Sequence, residues 1–208
     1  MGADIHMYAE VYDETTNEWV LQKNKFYNWY THKMVSNHLQ EYFGLTNKQC
    51  IKVIDYFYSG KKSRNQLEWK IINEYLPNSL KEYDDWDGIL SLGNLPHLLI
   101  DEVYIYRNYQ LFGILNDVRS YGDIHIVEDY DRGLPDDITE ELHDMYLLFE
   151  DDSHSPSYLF LDEIIESDIH KNKKLSSGVK FFLKKCVNSL KKLDNNYKNV
   201  RVVFWFDN

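Results

Sequence analysis

Residues 3–11 alternate strictly between two kinds of side chain. Asp4, His6, Tyr8 and Glu10 fall on one side of an extended chain, and Ile5, Met7, Ala9 and Val11 on the other. A period of two with one apolar side predicts a strand. The polar run Asp13-Glu14-Thr15-Thr16-Asn17 then turns the chain into Trp19-Val20-Leu21, predicting a hairpin. From Tyr30 to Tyr42 the period lengthens to that of a helix, with Met34, Val35, Leu39 and Phe43 inside and Gly44 as its stop. Thr46-Asn47-Lys48-Gln49 has capping-box spacing and opens a second helix through Phe57. A third runs from Gln66 to Tyr75 and closes at Pro77.

The segment Arg107–Arg119 carries the clearest helical signal. Tyr109, Phe112 and Leu115, with Leu111, Ile114 and Val118, recur at the i, i+3, i+4 spacing of a buried face, and Asn108 stands at the N-cap. Leu98 to Tyr106 reads as a buried strand or helix feeding it, and Asp84-Asp85-Trp86-Asp87-Gly88 as a loop. Further on, Ile124–Val127 reads as a short strand and Arg132-Gly133-Leu134-Pro135 as a tight loop. Asp137 or Thr139 opens a helix through Leu148, and residues 151–157 form a polar loop rich in hydroxyls. Helices follow at Leu161–Ile165 and Ser177–Leu193, the latter with Val179, Phe182, Cys186, Leu190 and Leu193 as its stripe. Val200–Phe206 ends the chain as a strand. Without repeats or a linker, this order predicts a single α+β domain over 1–208. Its small mixed or antiparallel sheet contains the N- and C-terminal strands and packs with several helices.

Composition narrows the class. A chain of 208 residues is long enough for one well-buried domain. Aromatic content of 15%, with 17 Tyr, supplies large rings with polar tips to core and pocket positions. No apolar run reaches membrane-spanning length and the start lacks a secretory pattern, so no membrane association and a cytoplasmic location are expected. Cys50 and Cys186 lie in helical apolar patterns and read as reduced core residues; no Cys-x-x-Cys exists, so no structural zinc is expected. A net charge of −11 argues against general nucleic-acid binding. The charge is uneven, however: residues 170–201 hold nine Lys, Arg201 and one acid, Asp194. That basic stretch is a solvated face or, alternatively, a surface docking on an acidic one within the molecule or in a homo-oligomer.

The candidate chemistry gathers at a few positions. Arg107 precedes a helix N-terminus, where the dipole disfavours a cation. It is therefore expected to meet an anionic ligand group in a pocket also lined by His6 and the His154 loop, the competing reading being a salt bridge to Asp101, Glu102 or Asp4. Asn108 and Tyr109 adjoin Arg107. Arg119 lies about 18 Å further along a straight helix, so both arginines cannot hold one phosphate. Arg132 is a third candidate anion binder, and His154 with Ser153, Ser155 and Ser157 supplies donors of the kind that surround phosphate or ribose. Asp4 and His6 are two apart on one strand face, which suits a chelating pair or an Asp orienting an imidazole. A resident metal is not expected, because two ligands do not make a site. No cofactor fingerprint is present: neither a P-loop nor a dinucleotide-binding glycine motif occurs, nor a Gly-x-Ser-x-Gly elbow.

Several of these stretches together resemble a largely uncharacterised family of short phage and bacterial proteins that begin Gly-Cys-Asp-Ile-His. They are Gly2-Ala3-Asp4-Ile5-His6, Arg107-Asn108-Tyr109 with Leu111-Phe112, Asp117-Val118-Arg119, Arg132-Gly133-Leu134-Pro135, His154-Ser155 with Ser157-Tyr158-Leu159, and Val200 to Asn208. Ala3 replaces the family's frequent Cys, and Pro156 a common second His. The resemblance spans both ends and residues 107–160, which marks the helices of about 30–100 as an insertion, and it implies a phage-linked origin in a host cytoplasm. Three functions fit. One is capture of a small phosphorylated, nucleotide-like ligand, as in phage anti-defence against a nucleotide signal. A second is a phosphodiesterase or nuclease using His6 and His154, with Asp4 as a further catalytic candidate. The third is an acidic inhibitor of a host protein.

Overall fold

Strands β1 (Asp4–Asp13), β2 (Glu18–Leu21), β3 (Ser153–Phe160) and β4 (Val200–Asp207) form one antiparallel sheet in the order β2-β1-β4-β3. The first and last strands are therefore neighbours at its centre. Their register sets Ile5 opposite Phe206, His6 opposite Trp205 and Glu10 opposite Arg201. The computed structural model describes residues 3–22, 26, 36–37, 39–41, 44–51, 102–119, 124–147 and 150–207. It divides into two compact units, Met1–Gln22 with Glu102–Asn208, and Lys23–Asp101.

In the first unit the helices are α1 (Tyr109–Asn116), α2 (Glu140–Leu147), α3 (Leu161–Glu166) and α4, a continuous helix built from Ser177–Phe181, a π turn at Phe182–Cys186 and Val187–Leu190. Among the described residues no helix is long and apolar enough to cross a membrane. The unit is α+β, with both terminal strands in its sheet.

Alternation along β1 and β4 gives the sheet two different faces. One carries Ile5, Met7, Ala9, Val202, Phe204 and Phe206, all buried. Phe112 of α1 lies on this face, 5.0 Å from Phe206 between ring centroids. The N-termini of α1 and α4 are joined by side chains: Asn108 Nδ2 donates to Ser176 Oγ at 3.0 Å, while each residue caps its own helix through Leu111 N–H and Val179 N–H. Gly178 permits this approach, because a Cβ there collides with the Asn108 side chain and presses on the Tyr104 hydroxyl.

The other face carries His6, Tyr8, Glu10, Arg201 and Trp205 and is also covered, by α2 through an edge-to-face contact of Tyr146 with Trp205 at 5.4 Å. Its centre is ionic. Arg201 is 2% exposed and Glu10 fully buried; Arg201 Nε donates to Glu10 at 2.7 Å, Nη1 and Nη2 reach Asp137, and the guanidinium sits 3.9 Å from the Trp19 ring centroid. Glu10 also accepts the Thr139 backbone N–H. One buried ion pair thereby fixes the 137–139 segment that leads into α2.

The chain leaves and re-enters this unit on β1. Gln22 N–H donates to Ala9 C=O at 2.9 Å, and Val103 N–H to Met7 C=O at 2.7 Å. Two carbonyls of one strand thus hold both sides of the Lys23–Asp101 excursion.

Several elements differ from expectation. Residues 153–157, expected as a loop, lie in edge strand β3, where pairing with apolar β4 outweighs their polar composition. Pro156 sits at a register shift between His154 and Ser157, a position that needs no ladder donor. Residues 124–127 are not a strand; Ile126 N–H donates to Ile114 C=O just past α1. Residues 102–106 are neither strand nor helix. The α1 helix stops at Asn116 because Asp117 turns left-handed, φ 54°, and its N–H returns to Gly113 C=O. Thr139 precedes α2 without capping it by its hydroxyl, which has no partner.

In the second unit, Gly44 (φ 62°) follows helical residues 39–41, and Gln49 Oε1 accepts the Thr46 N–H and hydroxyl, the capping interaction its spacing predicts. The 66–75 helix and the 84–88 loop lie outside the described residues. Cys50 and Cys186 are both buried free thiols.

Two outcomes follow for stability. Arg201→Leu strands the Glu10 carboxylate and lowers unfolding free energy by about 3–5 kcal/mol in urea titrations, whereas Glu10→Gln with Arg201→Met loses distinctly less. Gly178→Ala costs about 1–3 kcal/mol from overpacking, measured in the same titrations.

Candidate functional site

The sequence candidates divide between the two ends of α1. At the N-terminal end, Arg107 forms a two-pronged pair with Asp4: Nε to Oδ1 at 2.8 Å and Nη2 to Oδ2 at 2.5 Å, with both side chains about half exposed. The anionic partner expected from the helix dipole is thus a protein carboxylate. The Asp4 backbone N–H donates to Asp207 Oδ1 at 3.0 Å, linking the pair to the last strand.

His6 sits inside this network. Nδ1 meets Glu102 Oε1 at 2.8 Å and Nε2 meets Asp207 Oδ2 at 3.2 Å. Carboxylates only accept, so both ring nitrogens must donate, and the ring is an imidazolium. Burial lowers the pKa, but the bonds from Asp207 and Glu102 outweigh it and raise the value to about 10. The same bond holds Asp207 below the ordinary carboxylate range despite partial burial. Tyr8 also donates to Glu102, at 3.1 Å, and burial with the Glu102 charge raises its pKa well above the ordinary value. An imidazole so clamped has no lone pair for a metal or for a substrate proton at neutral pH. Among the described residues no group of three or more His, Cys, Asp or Glu is arranged to hold a metal ion.

Arg132 is consumed by structure in a similar way. Its Nη1 and Nη2 bond Glu163 at 2.9 and 2.7 Å, and Nε donates to Asp129 C=O at 2.8 Å. Ser157 is fully buried and joins β3 to the 130–132 turn, donating to Tyr130 C=O and accepting Arg132 N–H. Tyr109 packs edge-to-face on Phe112 at 5.8 Å.

The C-terminal end of α1 is different. An open concavity of about 520 Å³ is lined by Asn116, Asp117, Val118, Arg119, Tyr130, Asp131, His154 and Ser155. That volume falls in the range of small-molecule sites. Three of its residues hold positive φ without being glycine: Asp117 at 54°, Arg119 at 56° and Ser155 at 50°. Such conformations each cost about 1–3 kcal/mol and gather where function needs a fixed backbone. Asn116, 5% exposed, donates its Nδ2 to Ser155 C=O at 2.8 Å, which fixes the amide and leaves Oδ1 buried without a partner. Ser155 Oγ is 3.0 Å from His154 Nδ1, and the His154 ring stacks on Phe206 at 6.0 Å. The Arg119 guanidinium lies 6.0 Å from the Tyr109 ring centroid. Tyr130 stacks on His125 at 4.1 Å.

The structure therefore brings Arg119, His154 and Ser155 together and leaves Arg107, Asn108, His6 and Arg132 elsewhere. His6 pairs opposite Trp205 and His154 opposite Phe206, so the two imidazoles stand on opposite faces of the sheet. They cannot serve one phosphate as acid and base. Glu102 and Asp207, the partners of His6, escaped the sequence reading, although pairing the terminal strands antiparallel already sets Asp207 opposite Asp4. Asn116, Tyr130 and Asp131 escaped it because the concavity forms only when the bulge in β3 meets the end of α1.

Comparison with protein-family models, curated proteins and solved structures finds no match.

The clamp on His6 has a pH signature. The folded pKa of about 10 exceeds the ordinary 6.5, so the contribution to stability is full below about pH 6.5. It declines as pH rises between these values and is lost above about 10. Urea midpoints of wild type fall along this alkaline limb, and His6→Gln flattens it; parallel curves for the two proteins refute the clamp.

Proposed function

We propose that this protein captures a small phosphorylated, nucleotide-like ligand in the concavity at the C-terminal end of α1 and holds it without turnover. A phage protein that removes a host-defence nucleotide signal in the host cytoplasm acts in this way. The observation that carries the reading is the convergence of Arg119, His154 and Ser155 on one concavity whose backbone is held in three left-handed non-glycine conformations. Arg119 supplies the planar fork that matches phosphate oxygens. His154 and Ser155 add neutral or charged donors beside it. Asp117 and Asp131 disfavour a bare polyphosphate but accept the hydroxyls of a ribose, and the Tyr130 ring offers a surface for a base. A ligand with a phosphate at one end and hydroxyl or amino donors at the other meets all these demands.

Capture rather than catalysis is supported by the two histidines. The clamped His6 and His154 stand on opposite faces of the sheet, so they do not meet at a common point as acid and base. Native mass spectrometry of protein purified from infected or expressing cells identifies the ligand, and calorimetry against mono-, di- and cyclic nucleotides measures it. Arg119→Ala lowers affinity at least about tenfold, roughly 1.4 kcal/mol, measured at a temperature where its melting curve shows it folded. Arg107→Ala, which removes only the pair with Asp4, leaves affinity within error. Release of a cleaved product moves the assignment to a phosphodiesterase, and equal affinity for wild type and Arg119→Ala refutes the site.

A further inference from the structure

The basic stretch that the chain concentrates in 170–201 has a definite geometry. Helix α4 turns Val179, Phe182, Cys186 and Leu190 inward, and Lys180, Phe181, Lys184 and Lys185 outward. Phe181 is 40% exposed and Tyr106 53% exposed, and their rings meet edge-to-face at 5.5 Å. The pair is not loose. Both rings rest on buried Tyr104, at 6.4 and 5.6 Å, and Tyr104 in turn on buried Phe182 at 5.9 Å. A rigid aromatic platform rimmed by lysines is thereby held open to solvent.

Helix α2 presents the opposite surface. Glu140, Glu141 and Leu147 are exposed, with Asp136 just before them, and Leu147 leaves 46% of its surface in water. A single exposed leucine is ordinary. Here it ends a helix that opens with exposed acids, Glu140 lying two turns before it on the same side, while the aromatic pair stands beside exposed lysines. An apolar centre with a charged rim is the anatomy of a protein interface, and rims of opposite sign steer the two halves together.

The two helices cannot meet within one molecule. Helix α2 covers the Trp205 face of the sheet, whereas α4 is joined to α1, which covers the Phe206 face. We propose that the Tyr106–Phe181 platform of one copy docks on the α2 surface of a second copy. The contact is head-to-tail, because different patches meet. Such contacts close into rings or extend into filaments according to the rotation between copies. This inference is independent of the ligand site, which lies at the other end of α1.

Sedimentation velocity on the full chain tests it across a concentration series. Association grows with concentration at low salt and weakens several-fold at high salt, where the screening length falls from about 30 Å at 0.01 M to about 3 Å at 1 M. Two neutral variants separate the halves: Phe181→Ser with Lys184→Ser removes the platform, and Glu140→Gln with Leu147→Ser removes its acceptor. Each variant alone is monomeric. Their mixture forms a one-to-one dimer and nothing larger, because one intact half of each kind remains. Melting midpoints check folding; if Phe181→Ser lowers the midpoint, Lys180→Gln with Lys184→Gln replaces it. A wild type that stays monomeric throughout overturns the proposal. So does a mixture that stays monomeric, or a variant that associates as wild type does, the last pointing to a different surface.

Discussion

Everything in the sheet unit follows from one requirement: β4 must be buried on both faces. All seven residues from Val200 to Phe206 are buried. A strand in that position needs partners on both edges and cover above and below. Strands β1 and β3 provide the edges, which is why the two ends of the chain meet. Cover for the Val202, Phe204, Phe206 face comes from α1 and is driven by apolar burial. Cover for the other face must accommodate Arg201, and an unpaired cation there is untenable. Glu10 opposite it and Asp137 above it resolve this, and in doing so they bring the segment leading to α2 across the sheet. A long polar residue near the start of an apolar strand thereby determines where a helix lands.

The same logic explains how 79 residues, Lys23–Asp101, can leave the sheet unit and return. The departing and returning segments are each tied to the same strand. Gln22 and Val103 each donate to β1, at Ala9 and Met7, which lie two residues apart on one strand edge. The carboxylate of Glu102, the first residue after the excursion, is then held by His6 and Tyr8. Loop-closure entropy grows only slowly with length, so a long excursion costs little more than a short one once its ends are pinned. The His6 clamp reads most naturally as part of this pinning: it joins Glu102, β1 and the end of β4 in a single charged junction.

Legibility in the sequence tracked periodicity. The β1 alternation, the α1 stripe and the α4 stripe were each visible because one face is apolar and the other is not. Strand β3 was invisible for the opposite reason. Its side chains are serines, a histidine and a proline at 153–157, and only the unseen partner β4 makes them a strand. The Arg201–Glu10 pair was equally hidden, because a charged residue in a strand reads as a solvated one until the opposing cover is known. At the site, residue types were legible but their grouping was not. Arg107 demands an anion, and the ligand expected from sequence is in fact a carboxylate of the protein, because sequence cannot say to which molecule the anion belongs. Asp4 answers the demand through a register set by residues some two hundred positions apart.

That distinction bears on which end of α1 is built to bind. At the N-terminal end every cation and carboxylate described here is answered by another protein group: Arg107 by Asp4, His6 by Glu102 and Asp207, Asn108 by Ser176 and the helix it caps. A network closed on itself gains nothing from a ligand, which must first break it. At the C-terminal end the described residues include unusual backbone, three residues held at positive φ without being glycine, and one buried acceptor without a donor, an amide oxygen. Folding tolerates such terms when surrounding packing over-determines them, as the Asn116 bond to Ser155 does by locking α1 to the bulge in β3. The closed network around Arg107 is thus a structural junction, and the left-handed residues mark where α1 and β3 are locked together.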